Sequence, residues 1–106
     1  MNNEMNKFAM FGKLTAHSGK REELVSLMLE ASRSLNDMEG CELYIINESV
    51  DDPDVIWVTE LWHDAQAHAD SLKNEQVLSV IQQAKPLIAG VEPIRIRPVG
   101  GKGLGV

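Results

Sequence analysis

A chain of 106 residues, 43% hydrophobic and 25% charged, is sized and composed for one small globular domain and not for a disordered segment. Its net charge of -6 argues against nucleic acid or an anionic membrane surface as a partner, since the one basic group, Arg95, Arg97 and Lys102, has no aromatic interleaving. Cys41 is the lone cysteine, which excludes an intrachain disulfide and fits a cytoplasmic setting, and no apolar run is long enough to span a bilayer.

Residues 1–10, MNNEMNKFAM, lack the basic start and apolar run of a signal peptide. Met5 to Ala16 reads as a first strand, apolar on both faces. His17, Ser18 and Gly19 break it, and Ser18 is suited to cap the next helix. That helix is expected from Lys20 to Asn36, because Leu24, Leu27, Met28, Ala31 and Leu35 recur at helical spacing. Glu22 and Glu23 sit in its first turn, where the helix dipole favours carboxylates, and Gly40 is a suitable exit.

Cys41 to Val50 reads as the second strand, with Leu43, Ile45 and Asn47 on one face and Tyr44, Ile46 and Glu48 on the other. The turn DDPD leads to a third strand, Val55 to His63, and the short link predicts an antiparallel hairpin. Asp64 can cap a short helix over Ala65 to Leu72; a second helical piece runs from Glu75 to Lys85 and stops at Pro86. Gly90 closes that segment, and Val91 to Val99 is expected as the last strand. Residues 1–99 then form a single domain, and the Gly-rich tail 100–106 is expected to be mobile.

The order β-α-β-β-α-α-β predicts an α+β, ferredoxin-like antiparallel sheet with helices on one face. Strands apolar on both faces leave the second face uncovered. A second copy of the same sheet is the simplest cover, so a homodimer packed sheet to sheet is expected.

Chemistry concentrates in ELWHDAQAH, Glu60 to His68. His63 and His68 are not expected to share a metal ion: on one helix, five residues separate them by about 140°, and His63 falls at a strand end. Ala65, His68, Ala69 and Leu72 form one helical stripe that turns His68 toward the sheet. There it is either a satisfied core histidine or a pocket-lining proton carrier. Glu60 and Trp62 share a strand face with Ile56 and Val58. Glu60 is thus a carboxylate among apolar neighbours, either paired with Arg95 or Arg97 or shifted upward in pKa. Trp57, Thr59, Leu61 and His63 take the other face. Tyr44 and Asn47 are polar groups in an apolar strand, each able to orient a ligand or to reach water. Cys41, beside Glu42, is a poor candidate thiolate, and neither a nucleophile elbow nor a phosphate-binding glycine loop is present.

Three segments in order resemble the antibiotic biosynthesis monooxygenase domain family: KLTAHSGKREEL, MEGCELYIINESVDDPDVIWVTELW and HDAQAHADSL. The resemblance spans about Lys7 to Pro98 and implies a dimeric α+β barrel with a ligand pocket between sheet and helices. It implies a cofactor-independent monooxygenase that uses molecular oxygen on a quinol-like or polycyclic phenolic substrate, with no metal, flavin or haem. His68 would be the base, and Trp62, Asn47, Glu60 and Tyr44 would bind substrate. Ser71 and Gln76 stand where many relatives carry histidines. Gly12, Ser71 and Ile81 stand where haem-degrading relatives carry asparagine, tryptophan and histidine, so haem degradation is not implied. A non-catalytic dimeric binding module and a non-oxidative isomerase are the alternatives on the same scaffold.

Overall fold

The structure, a computed structural model, describes residues 6–104. The elements are β1 (Phe8–Ala16), α1 (Arg21–Leu35), β2 (Cys41–Glu48), β3 (Val55–Trp62), α2 (Ala65–Ser71), α3 (Glu75–Ala84) and β4 (Ile88–Ile96). The strands form one antiparallel sheet in the order β2-β3-β1-β4, the ferredoxin-like arrangement expected from the element order. The proposed start of the first strand at Met5 lies outside the described residues.

Several boundaries differ from the sequence reading. Ser18 does not cap α1. The chain turns through Gly19, at φ 78°, so that Lys20 N–H donates to the His17 carbonyl and Lys20 itself takes the cap position without a side-chain bond. The last strand starts at Ile88, not Val91, and ends at Ile96, not Val99. Pro86 sits in a single 3₁₀ turn, Lys85–Leu87, that delivers the chain straight to the edge of β1. Pairing begins at Ala16 with Ile88, passes a bulge between Thr15 and Ala16, and runs through Gly90 opposite Thr15. Gly90 is therefore inside the strand. The cap of α2 is as expected, with Asp64 Oδ1 accepting from Ala67 N–H at 2.8 Å. Asn74 caps α3 by accepting from the backbone N–H groups of Gln76 and Val77.

Strand alternation and the ladder register sort the side chains into two faces. Beneath the helices, Ile56 and Val58 of β3 and Ala16 of β1 pack with Leu24 and Met28 of α1 and with Ala84 and Leu87. A second buried group joins Phe8 and Trp62, paired across β1 and β3, to Leu35 and Val77. Helices α1 and α3 lie side by side over the sheet, and the Ser34 hydroxyl donates to Gln76 Oε1 at 2.7 Å between them. On the opposite face Phe11 stacks on Trp57 with ring centroids 5.0 Å apart, and Ile45, Ile94 and Ile96 stand 47%, 49% and 46% exposed. Among the described residues no helix is long and apolar enough to cross a membrane.

Two contacts fix the ends of this frame. Arg21, opening α1, donates from one guanidinium nitrogen to the carbonyls of Ser49 and Asp52, at 3.0 and 2.9 Å, and so holds the β2–β3 turn against the helix. At the other end Gly40 lies against Ala67 of α2, and its carbonyl accepts from His63 N–H at 2.8 Å. A β-carbon on Gly40 would collide with that of Ala67, whereas one on Gly12, in the middle of β1, would meet nothing within 4 Å. Gly40→Ala is therefore expected to destabilise the fold by about 1–3 kcal/mol through overpacking. Gly12→Ala should be neutral or stabilising by up to about 1 kcal/mol, because it only restricts the unfolded chain. Urea unfolding of both variants checks this; equal losses would show that the α2 contact does not set the difference.

Candidate functional site

Between the sheet and helices α1 and α3 lies a cavity of about 210 Å³. Its walls come from Leu24, Met28 and Leu35 of α1, from Val77, Val80 and Ala84 of α3, and from Leu14 and Ile88 of the sheet. Polar side chains gather at one end: Tyr44, Glu60, Trp62, His68 and Ser71. Leu72, Ile81 and Lys85 also line it and are exposed, so the cavity reaches solvent along the α2–α3 side.

The polar end is built by the register of three strands and one short helix. Glu60 stands opposite Tyr44 on β2 and opposite Met10 on β1. Trp62, two residues on, shares its face and is 1% exposed. Trp62 Nε1 donates to Glu60 Oε1 at 3.0 Å, which satisfies the buried indole and ties down the carboxylate. The capped start of α2 aims His68 into the same place. Its Nε2 lies 3.8 Å from Glu60 Oε1, beyond hydrogen-bond length but in strong Coulomb range. The imidazole stacks on Phe8 at 4.2 Å between centroids and meets Trp62 edge-on at 5.5 Å. The Arg95 guanidinium covers Phe8 at 3.8 Å. The Ser71 hydroxyl donates to the His68 carbonyl at 2.6 Å, inside the helix.

Burial raises the Glu60 carboxyl above its ordinary value, an effect partly offset by the Trp62 hydrogen bond and then by the nearby His68 ring. Tyr44 is raised more strongly, first by burial and then by the charges of Glu60 and Cys41. Its phenol therefore keeps its proton across the neutral range, and it makes no hydrogen bond among the described residues. Cys41 is also raised, by burial and then by Glu60, which makes it a poor nucleophile.

Of the residues expected at a pocket from sequence, the structure brings His68, Trp62, Glu60 and Tyr44 together on one cavity wall. It does not bring Asn47. That side chain points to the opposite face of the sheet, as the strand's alternation requires, and its amide nitrogen donates to the Trp57 carbonyl at 2.9 Å and to Thr59 Oγ1 at 3.3 Å. Asn47 ties β2 to β3 and has no access to the cavity. Nor does Glu60 pair with an arginine: Arg95 is spent on Phe8, and the partners of Glu60 are Trp62 and His68. His63 lies elsewhere, with an exposed ring 3.8 Å from Glu42. Among the described residues no three His, Cys, Asp or Glu side chains converge as a metal site.

Sequence reasoning passed over Phe8, Lys85 and the lining role of Ser71. The Phe8 position follows from pairing β1 with β3, which are not neighbours in sequence, so only the sheet order exposes it. Lys85 carried a faint signal: it lies four residues after Ile81, on the same helical face.

The model of the family "Antibiotic biosynthesis monooxygenase" matches residues 8–83. A solved structure from Chloroflexus aurantiacus J-10-fl, named "putative Antibiotic biosynthesis monooxygenase", is 35% identical, with a TM-score of 0.84 over 93% of this chain and 99% of its own. Two more distant structures under the same name share the fold. That from Caulobacter crescentus CB15 is 17% identical, with a TM-score of 0.84 over 91% of this chain and 92% of its own. That from Nitrosomonas europaea is 13% identical, with a TM-score of 0.85 over 92% and 95%. A search of curated proteins gave no match. The family model spans most of the chain and the Chloroflexus protein aligns along nearly all of it, so the chain belongs to the antibiotic biosynthesis monooxygenase family.

Proposed function

We propose that the protein is a cofactor-independent monooxygenase that admits a quinol-like or phenolic substrate to the cavity under its helices. The observation that carries this reading is the cavity's polarity: apolar walls, with Tyr44, Glu60 and His68 collected at one end. An apolar cavity of about 150 Å³ already holds a benzene ring, so 210 Å³ accommodates an aromatic ring with substituents. A phenolic hydroxyl at the polar end meets His68, which takes its proton directly or through a bound water, while Glu60 orients the imidazole. The Tyr44 hydroxyl, without a hydrogen bond among the described residues, supports the phenolate oxygen. The electron-rich anion then reduces molecular oxygen itself, and the apolar walls keep bulk water from competing.

One observation favours a second reading, a non-catalytic binding module for the same class of ligand. The Ser71 hydroxyl is turned back onto the α2 backbone, so His68 is the one imidazole on the cavity lining.

A homodimer formed through the outer sheet face belongs to the same proposal. Phe11, Ile45, Ile94 and Ile96 form an apolar surface there, larger than isolated exposed residues would make. The lone half-buried cysteine supports a reducing, cytoplasmic setting.

Oxygen uptake with a panel of hydroquinones and naphthols tests the activity. His68→Ala should slow uptake by ~10²-fold or more if His68 is the base. Binding of the panel without oxygen uptake would select the binding module, and conversion without oxygen uptake an isomerase. In sedimentation the protein should run as a dimer at micromolar concentration and Ile45→Lys should dissociate it; a wild-type monomer would overturn the dimer. The carboxyl of Glu60 supplies a pH test. Its folded pKa is raised above the ordinary 4.5, so its stabilising contribution is complete below that value and is lost as pH rises through the folded pKa. Glu60→Gln, which cannot ionise, should gain in melting temperature over wild type as pH rises from acid to neutral. A difference that does not change with pH would mean that the carboxyl is not desolvated.

A further inference from the structure

The cavity has a second pole that the proposed chemistry does not use. Its far end is lined by Ile88 and opens at a rim of Ile81 and Lys85, four residues apart on one helical face. Ile81 is 36% exposed, and Lys85 is exposed in the single 3₁₀ turn that Pro86 stiffens. Lys85 is the one lysine or arginine on the lining, and it forms no ion pair among the described residues. In a chain of net charge -6 a cation left unmatched at the lip of an apolar cavity is an anion-attracting feature in an otherwise repelling field.

The two poles are far apart. The row that holds Glu60 pairs with Met10, and the row that holds Ile88 pairs with Ala16, six residues further along β1. At strand rise that is ~20 Å, part of which the long lysine side chain spans. The wall between is aliphatic: Leu14 from the sheet, Leu24 and Met28 from α1, Val80 and Ala84 from α3. A compact phenol would touch only the polar end and leave the rest of this wall unfilled.

We infer that the natural ligand is elongated and bipolar, with a phenolic or quinol head at Tyr44, Glu60 and His68, an apolar middle, and a carboxylate or similar anionic group held at the rim by Lys85. Lys85 is then a specificity-determining residue that selects acidic substrates and takes no part in the oxidation. The inference rests on the phenolic reading of the cavity and names the class of substrate within it.

Calorimetric titration with para-hydroxyphenylhexanoate and with its carboxamide tests both separately. The acid is expected to bind about fivefold more tightly than the amide, the size of a partly solvated ion pair. That advantage should shrink at about 0.5 M NaCl, where an exposed pair is screened. Lys85→Met should remove the advantage and leave the amide's affinity unchanged, Lys85→Arg should keep it, and Lys85→Glu should reverse it. Equal binding of acid and amide to the wild type would overturn the role of Lys85 and leave the phenolic cavity standing. So would a Lys85→Met variant that weakens both compounds alike. Failure of both compounds to bind the wild type would overturn the phenolic reading and this inference with it.

Discussion

Every strand here carries apolar side chains on both faces, and the helices reach only one of them. That constraint organises the molecule. Beneath the helices the apolar residues of β1 and β3, the two central strands, meet α1 and α3 and form the core. On the other side Phe11, Ile45, Ile94 and Ile96 stand partly exposed, with no layer over them among the described residues. Burying such a surface is worth roughly 25 cal/mol per Å², and that driving force is what the proposed dimer rests on.

The same constraint leaves room for a cavity. The covering layer between β3 and β4 is not one helix but two short ones and a 3₁₀ turn, with breaks at Leu72–Asn74 and at Pro86. Two short helices cannot close a continuous wall as one long helix does, and the gap they leave toward solvent is where Leu72, Ile81 and Lys85 combine lining with exposure. Polarity enters through Glu60 alone among the inward residues of β3. Its desolvation is tolerable because Trp62, two positions along the same face, donates to it, and because His68 comes within Coulomb range from α2. The placement of α2 depends in turn on the absence of a side chain at Gly40, where the helix lies against the start of β2. Stability and site geometry thus share the same few contacts.

Much of this was legible in the sequence. Period-two alternation puts Glu60 with Trp62, Ile56 and Val58, and puts Asn47 on the face away from Tyr44; those are local properties, fixed by backbone periodicity, and they survive in the folded chain. The helical stripe through Ala65, His68, Ala69 and Leu72 turns the imidazole inward, but the face of α2 that packs is the one through Ala67, His68 and Ser71, while Ala65 and Ala69 are exposed. The failures share a cause as well. The chemistry of Asn47 suggests the pocket although its own alternation points it away, and the structure follows the alternation. For Glu60 the sequence leaves open an arginine partner, Arg95 or Arg97, or a raised pKa; burial raises the carboxyl, and the Arg95 guanidinium lies on the face of Phe8, a partner that exists only once β1 lies between β3 and β4.

The sequence by itself determined the order of elements, the ferredoxin-like arrangement, the side of each strand on which a residue stands and the family to which the chain belongs, because each follows from periodicity, turn chemistry and motif spacing along the chain. Tertiary structure decided which residues meet across the sheet: Phe8 with Trp62 and His68, Glu60 with Tyr44, and Lys85 with the open end of the cavity. These contacts depend on the register of strands and helices distant in sequence and on the space that packing leaves unfilled, and neither has a local signature.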